Sequence, residues 1–348
     1  MYIRDLLCIS AQPTYETGFF NRPLIVHAGM QFNASEPSYS DLIPSGVLRR
    51  MSKISRMGVG TAMPLLNKHK DIEGIIIGSA YGGVNDSMRF LEQIEQYEEG
   101  TLTPTGFVQS TPNSLAGILS VMSQCTGYNN THVHEGLAFE NALIDAQMYL
   151  DTNKGTLLLG AAEEISDWNN NLNRLKGFYK ESPIESGSMI RSGTSGTYPG
   201  EGAAMFVVSS KEDQAKVKIT DVRQMMTENM DDVIALINQM LEQNNIKSDQ
   251  VAMVISGMNG DNKTDADCYE ISNAMFPHSG ICVYKHYTGE YPAASSFALW
   301  LATHIFTGQK LHDEMIIKPA SEKPNHILIH NSYHTGMHGL ILVSKPSS

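Results

Sequence analysis

Residues Thr131–Glu164 read THVHEGLAFENALIDAQMYLDTNKGTLLLGAAEE. The stretch divides into a short strand, a sharp turn at Glu135-Gly136, an apolar helix, a polar loop and a buried strand. Leu137, Phe139, Ala142, Leu143, Ala146 and Leu150 recur at helical spacing. Thr156–Ala162 is short, apolar and bounded by turn formers, as expected of a central parallel strand. A turn that feeds a buried helix is a usual seat for a nucleophile. The helix N-terminus favours negative charge and lends thiolate character to a cysteine placed there. No cysteine, serine or threonine stands at this turn, so it has the form of a nucleophile elbow without the nucleophile.

Outward from this stretch, strands and helices alternate. Upstream, strands are expected over residues 2–10 and 72–77. Helices are expected over about 46–56, over 85–98, and after Thr111-Pro112-Asn113, where Leu115, Ile118, Leu119 and Met122 supply the apolar face. Residues 11–45 read as loop. Downstream, residues 165–200 are rich in turn formers and read as a long surface insertion, a lid or a subunit contact. A second βαβ series begins at Gly200 with GEGAAMFVVSS and ends in strands at 327–330 and 340–343. The pattern predicts an α/β protein of two βαβ-rich halves, 1–199 and 200–348, with a duplicated architecture but no clear sequence repeat.

Composition narrows the function classes. The 348-residue chain is 41% hydrophobic and 18% charged, as a globular protein is, and its net charge of −12 argues against a nucleic-acid partner. Cys8, Cys125, Cys268 and Cys282 form no close pair, which supports neither a disulfide framework nor a metal site. No apolar run approaches the length of a membrane span and no signal-peptide pattern opens the chain, so a reducing, cytoplasmic setting is expected.

Several segments, taken in order, resemble the β-ketoacyl-ACP synthases of the thiolase fold. GFVQSTPNSLAGILSVMSQCTGYN is similar to the stretch before that family's active site, and THVHEGLAFENALIDA with LLLGAAEE to its nucleophile helix and following strand. GEGAAMFVVS resembles the first strand of the second half, YKHYTGEYPAASSFAL the Lys-x-x-x-Gly-His-x-x-Gly-Ala segment, and HNSYHTGMHG the C-terminal Asn-Ser-Phe-Gly-Phe-Gly-Gly loop. The resemblance spans about residues 70–345. It implies a layered α-β-α-β-α architecture, action on acyl carrier protein thioesters, and no cofactor.

That chemistry uses a cysteine nucleophile and two histidines. The resemblance places the cysteine position on Glu135 or Gly136, the first histidine on Gly257 and the second on Glu290. The family's lysine is kept as Lys285, and the glutamate that usually pairs with it falls on Leu299. His334 and Thr335 replace Gly-Phe in the gatekeeper loop. Within the family, chain-length-factor-like subunits of type II polyketide and aryl-polyene systems show this loss and pair with a Cys-containing ketosynthase. The resemblance therefore implies an inactive subunit in a heterodimer, or in a homodimer, that serves an acyl carrier protein.

Two alternatives stand beside it. One is a self-sufficient acyltransferase or condensing enzyme using Glu135, His134 and Glu290 as acid and base. The other is a homodimeric acyl-binding protein. Each candidate residue also has a plain structural reading. Glu135 is a helix-start carboxylate, and His132 and His134 are structural residues on one strand face. Lys285 and Glu290 form a structural ion pair, while Asn259 and Asp261 are turn formers. Cys125 and the Met225-Met226 pair fill core space, with the methionines alternatively lining an acyl tunnel.

Overall fold

The computed structural model describes residues 1–100, 102–334 and 336–347. In chain order the first half holds β1 (Tyr2–Ile9), α1 (Ser45–Leu48), α2 (Lys53–Lys68), β2 (Gly74–Gly78), α3 (Val84–Gln96), α4 (Pro104–Gln109), α5 (Ser114–Ser123), β3 (Tyr128–His132), α6 (Ala138–Asn153), β4 (Thr156–Glu163), α7 (Asp167–Leu175) and β5 (Gly202–Ser209). Then follow β6 (Val217–Met226), α8 (Met230–Gln243), β7 (Val251–Ser256), α9 (Asn262–Met275), β8 (Gly280–Val283), α10 (Lys285–Thr288), α11 (Ser295–Phe306), β9 (Ile316–Lys318), β10 (His326–Tyr333) and β11 (Met337–Ser344).

The strands join in the order β3-β2-β4-β5-β1-β6-β11-β10-β7-β8-β9. The first five and the five from β6 to β8 repeat one plan: β2 lies parallel to β3 and β4, and β7 lies parallel to β8 and β10. An antiparallel pair closes each set, β5 with β1 and β11 with β6. Tyr2 and Ile3, paired with Lys218 and Val217, join the two sets. β4 is parallel to β2 but antiparallel to β5, so it is parallel on one side only. Hydrogen bonding puts Gly202–Ser209 with the first five strands, whereas a division at residue 200 would detach it. We propose that the halves meet between Ser209 and Val217.

Strand alternation builds the layers, because successive side chains face opposite sides of a sheet. Ile76, Leu157, Leu159, Phe206 and Val208 face inward, as do Met253, Ile255, Ile327, Ile329, Ile341 and Val343. Between these two faces lie α6, through Phe139, Ala142, Leu143 and Ala146, and α11, through Phe297–Ala302. The alternate residues Ile75, Ile77, Leu158, Met205 and Val207 meet α2 and α5 on one outer face. Val251, Val254, Leu328, Leu340 and Leu342 meet α8 and α9 on the other. The result is helix, sheet, helix, sheet, helix. A Leu143→Ala cavity in the middle layer would cost about 2–5 kcal/mol.

Two expectations need correction. The helix expected at 46–56 is split: α1 is one turn long, and α2 runs from Lys53 to Lys68, well beyond the expected end. Gly58 and Gly60 let α2 press on Leu115 and Tyr39, where added Cβ atoms would overlap those side chains. The 165–200 insertion is not all loop, for it holds α7 and a 3₁₀ segment, Ser186–Arg191.

Candidate functional site

The site forms where the parallel strands β2, β4, β7 and β10 end, the usual place for ligands in α/β sheets. The turn before α6 arrives at the same place. Glu135 adopts a left-handed conformation, φ 42°, and opens a 3₁₀ turn, Glu135–Leu137, that leads into α6. Its carboxylate lies beside the Tyr81 hydroxyl and joins burial in pushing that phenol up to about 12. Gly136 is buried, and a Cβ built on it would overlap the ring of Tyr333. The tyrosine thus fills the space that a nucleophile at Gly136 would need.

Gly257, which the resemblance sets against the first histidine, has no room for a side chain either. Gly257 donates its N–H to the His330 carbonyl at 2.7 Å. A Cβ there would stand 2.6 Å from the Ser332 nitrogen and 2.9 Å from the Asn331 Cα. The backbone of β10 therefore excludes any side chain.

Glu290, which the resemblance sets against the second histidine, is wholly buried. Lys285 Nζ donates to its Oε2 at 2.9 Å and to the Ser332 carbonyl at 2.7 Å. Asn259 Nδ2 donates to the same oxygen at 2.7 Å. Burial raises the Glu290 pKa, against the pull of the Lys285 ammonium and the Asn259 amide. Leu299, which the resemblance sets against the lysine's usual partner, is packed in α11, and Lys285 pairs with Glu290. Asn259 and Asp261 also shape the turn. Asp265 accepts the N–H groups of Asn259 at 2.7 Å and Gly260 at 2.9 Å, and Asp261 caps α9 through Thr264 at 3.0 Å. Burial pushes Asp265 up to about 7.

The histidines of the elbow do not converge. His132 Nε2 lies 2.8 Å from Asp145 Oδ2, whereas His134 lies beyond the end of β3, with Nδ1 2.5 Å from Asn141 Nδ2. They do not share a strand face, which corrects that expectation. Among the described residues no cluster of His, Cys, Asp and Glu has the arrangement of a metal site. Cys125 packs partly buried beside the α2–α5 cluster. Met225 packs below α8, and Met226 is exposed.

The insertion is fastened over this region. The Phe178 ring stacks on His334 at 3.9 Å, and Tyr179 bonds Asn170 and Asn173. The buried Lys180 donates to the Gly260 carbonyl at 2.7 Å and to Thr194 Oγ1 at 2.8 Å. His334 is left-handed at φ 48°, while Thr335 lies outside the described residues.

Three residues that sequence reasoning missed complete the site. Besides Tyr333, Glu140 points inward from α6 against Gly339, neither oxygen hydrogen-bonded, and burial pushes it up to about 7. Glu163 ends β4, accepts the Ala80 N–H, and is pushed by burial up to about 8. A charged residue inside the apolar runs LAFENALIDA and LLLGAAEE was the available signal. The crevice left between Tyr81, Glu163, Tyr179, Glu290 and Tyr333 measures about 30 Å³. That is room for about two waters.

The sequence profile described as "Beta-ketoacyl synthase, N-terminal domain" matches residues 27–251. No curated protein matches the chain. Among solved structures, a β-ketoacyl synthase from Burkholderia phymatum STM815 superposes with a TM-score of 0.78 at 15% identity, covering 99% of this chain and 98% of that one. The ishigamide ketosynthase/chain length factor gives 0.77 at 13% identity, with 99% of each chain covered. The ketosynthase ApeO in complex with its chain length factor ApeC, from Xenorhabdus doucetiae, gives 0.74 at 12% identity, covering 99% and 97%. At these identities the likeness establishes the thiolase fold.

Proposed function

The chain belongs to the β-ketoacyl synthase family, and from that premise we propose that it is a catalytically inactive, chain-length-factor-like subunit. It pairs with a Cys-containing ketosynthase and serves chain elongation on an acyl carrier protein. The observation that carries this reading is the Tyr333 ring packed over Gly136, beside a crevice whose described lining residues include no cysteine and no histidine. Acyl transfer needs a thiolate and a hole for the developing oxyanion. Here a buried ion pair and a tyrosine stand in their places.

Two structures of similar fold are described as a ketosynthase with its chain length factor, and a third as a type II polyketide carrier protein in complex with its ketosynthase. These descriptions support the same partners for this chain. β3 lies at one end of the sheet with a free edge, and Tyr128, Val133 and Met148 are exposed beside it. An unpaired edge is a ready template for another strand, so we assign the partner to this side. A cytoplasmic location fits four unpaired cysteines. Among the described residues no helix is long and apolar enough to cross a membrane.

Reconstitution tests the proposal. The chain is mixed with a Cys-containing ketosynthase and malonyl-loaded carrier protein, and complex formation and product length are read together. A stable complex whose products differ from those of the ketosynthase alone is expected. Failure to associate, or unchanged products, would overturn the assignment.

A further inference from the structure

The helix α7 (Asp167–Leu175) turns its polar side inward and its apolar side outward. Asn173 Nδ2 donates to the Tyr179 hydroxyl at 3.2 Å, and that hydroxyl donates to Asn170 Oδ1 at 3.3 Å. On the opposite side Trp168, Leu172 and Leu175 are 50%, 58% and 86% exposed. A surface helix of a monomer does the reverse, and a contiguous apolar stripe on a surface marks a docking site. The spacing i, i+4, i+7 sets the three side chains in one row, the seam by which paired helices interlock. The charges of α7 show what fits that row. Asp167 stands in the first turn and Arg174 in the last, both exposed and on one flank of the row.

We propose that a second copy of this chain packs on α7, the two helices running antiparallel about a two-fold axis near residues 171–172. In that arrangement Leu172 meets Leu172 of the second copy, Trp168 meets Leu175, and Asp167 meets Arg174, each unlike pair occurring twice by symmetry. Parallel pairing would set like charges together, and antiparallel pairing also brings opposite ends of the helix dipoles together. One helix thus carries both halves of the complementarity, which is what a copy of itself requires. Three side chains fall short of the roughly 800 Å² per partner of a stable interface, so the pairing is weak on its own. It is separate from the ketosynthase contact proposed at the β3 edge, and the two contacts together build a pair of heterodimers.

Sedimentation equilibrium of the full chain alone, over a concentration series, provides the test. A reversible monomer–dimer equilibrium is expected. Leu172→Glu puts two carboxylates together at the axis and should weaken it by about tenfold or more, whereas Val121→Glu, as exposed but on α5, should not. Asp167→Arg and Arg174→Asp should each weaken it by about threefold or more, and the double exchange should restore it, because only antiparallel pairing sets these two residues opposite. All these side chains are exposed, so the variants should keep the wild-type Tm. A monomer at every concentration, no effect of Leu172→Glu, or a double exchange that restores nothing would overturn the proposal. So would a Leu172→Glu variant that still self-associates but no longer binds a ketosynthase, since the stripe would then belong to that partner. The chain is tested alone, so failure here leaves the ketosynthase reading standing.

Discussion

Gly136 and Tyr333 compete for one space. Gly136→Cys restores the atom type the chemistry needs but drives it into the tyrosine ring. It should destabilise the fold by about 1–3 kcal/mol, as overpacking does. Tyr333→Ala should relieve that penalty in the double variant, and a denaturation cycle over the four proteins reads the coupling. Glu163 sets a pH dependence. Its ordinary pKa of 4.5 governs the unfolded chain, and about 8 governs the folded one. Its contribution to stability is therefore complete below pH 4.5 and is lost as pH rises towards 8. Glu163→Gln should flatten that fall, by an amount on the order of a few kcal/mol at pH 8, in denaturant melts at pH 5 and pH 8. Gly257, Lys285 and Glu290 were singled out through the resemblance, whose motifs are short contiguous segments readable in the sequence. Tyr333 as a plug was not, since the rotamer that covers Gly136 depends on two loops far apart in the chain.

At the scale of elements, one buried ammonium ties the insertion down beside the Phe178–His334 stack and the Thr197–Asn259 hydrogen bond. Lys180 joins residue 194 to the 259–261 turn. Lys180→Met should cost about 2 kcal/mol, because hydrogen bonds to a charged group are lost and buried acceptors remain. Hydrogen exchange should rise first at 192–197 and 259–262; uniform protection would contradict this clamp. The organising segment was legible as strand, turn, helix and strand, because helical spacing and the apolar run are local signals. α7 was not, since Asn169, Asn170, Asn171 and Asn173 give DWNNNLNRL a loop-like composition. α2 was cut short because Gly58, Gly60 and Pro64 look like breakers. The glycines serve close packing instead, and Pro64 forgoes only one backbone bond.

At the scale of the molecule, duplication was visible as a βαβ rhythm but not as a repeat. Strand order and direction are shared while the side chains have diverged, and register is set by partners distant in sequence. The free edge of β3 is where the proposed partner would extend the sheet. Met148→Glu places a charge beside Tyr128 and Asp145 on an exposed surface. It should weaken association with a ketosynthase by about tenfold or more and leave the Tm unchanged, because rim-free apolar contacts carry much of the energy of an interface. Sedimentation of the wild-type and variant mixtures reads this directly.

The central claim is that the family's chemistry is absent from this chain. The most direct measurement is intact mass after the purified protein alone is incubated with acyl- and malonyl-loaded carrier protein, with the carrier analysed in parallel. The account predicts an unmodified protein and a carrier neither decarboxylated nor elongated. An acyl adduct, decarboxylation or elongation would contradict it and assign catalysis to the carboxylates that replaced the lost residues.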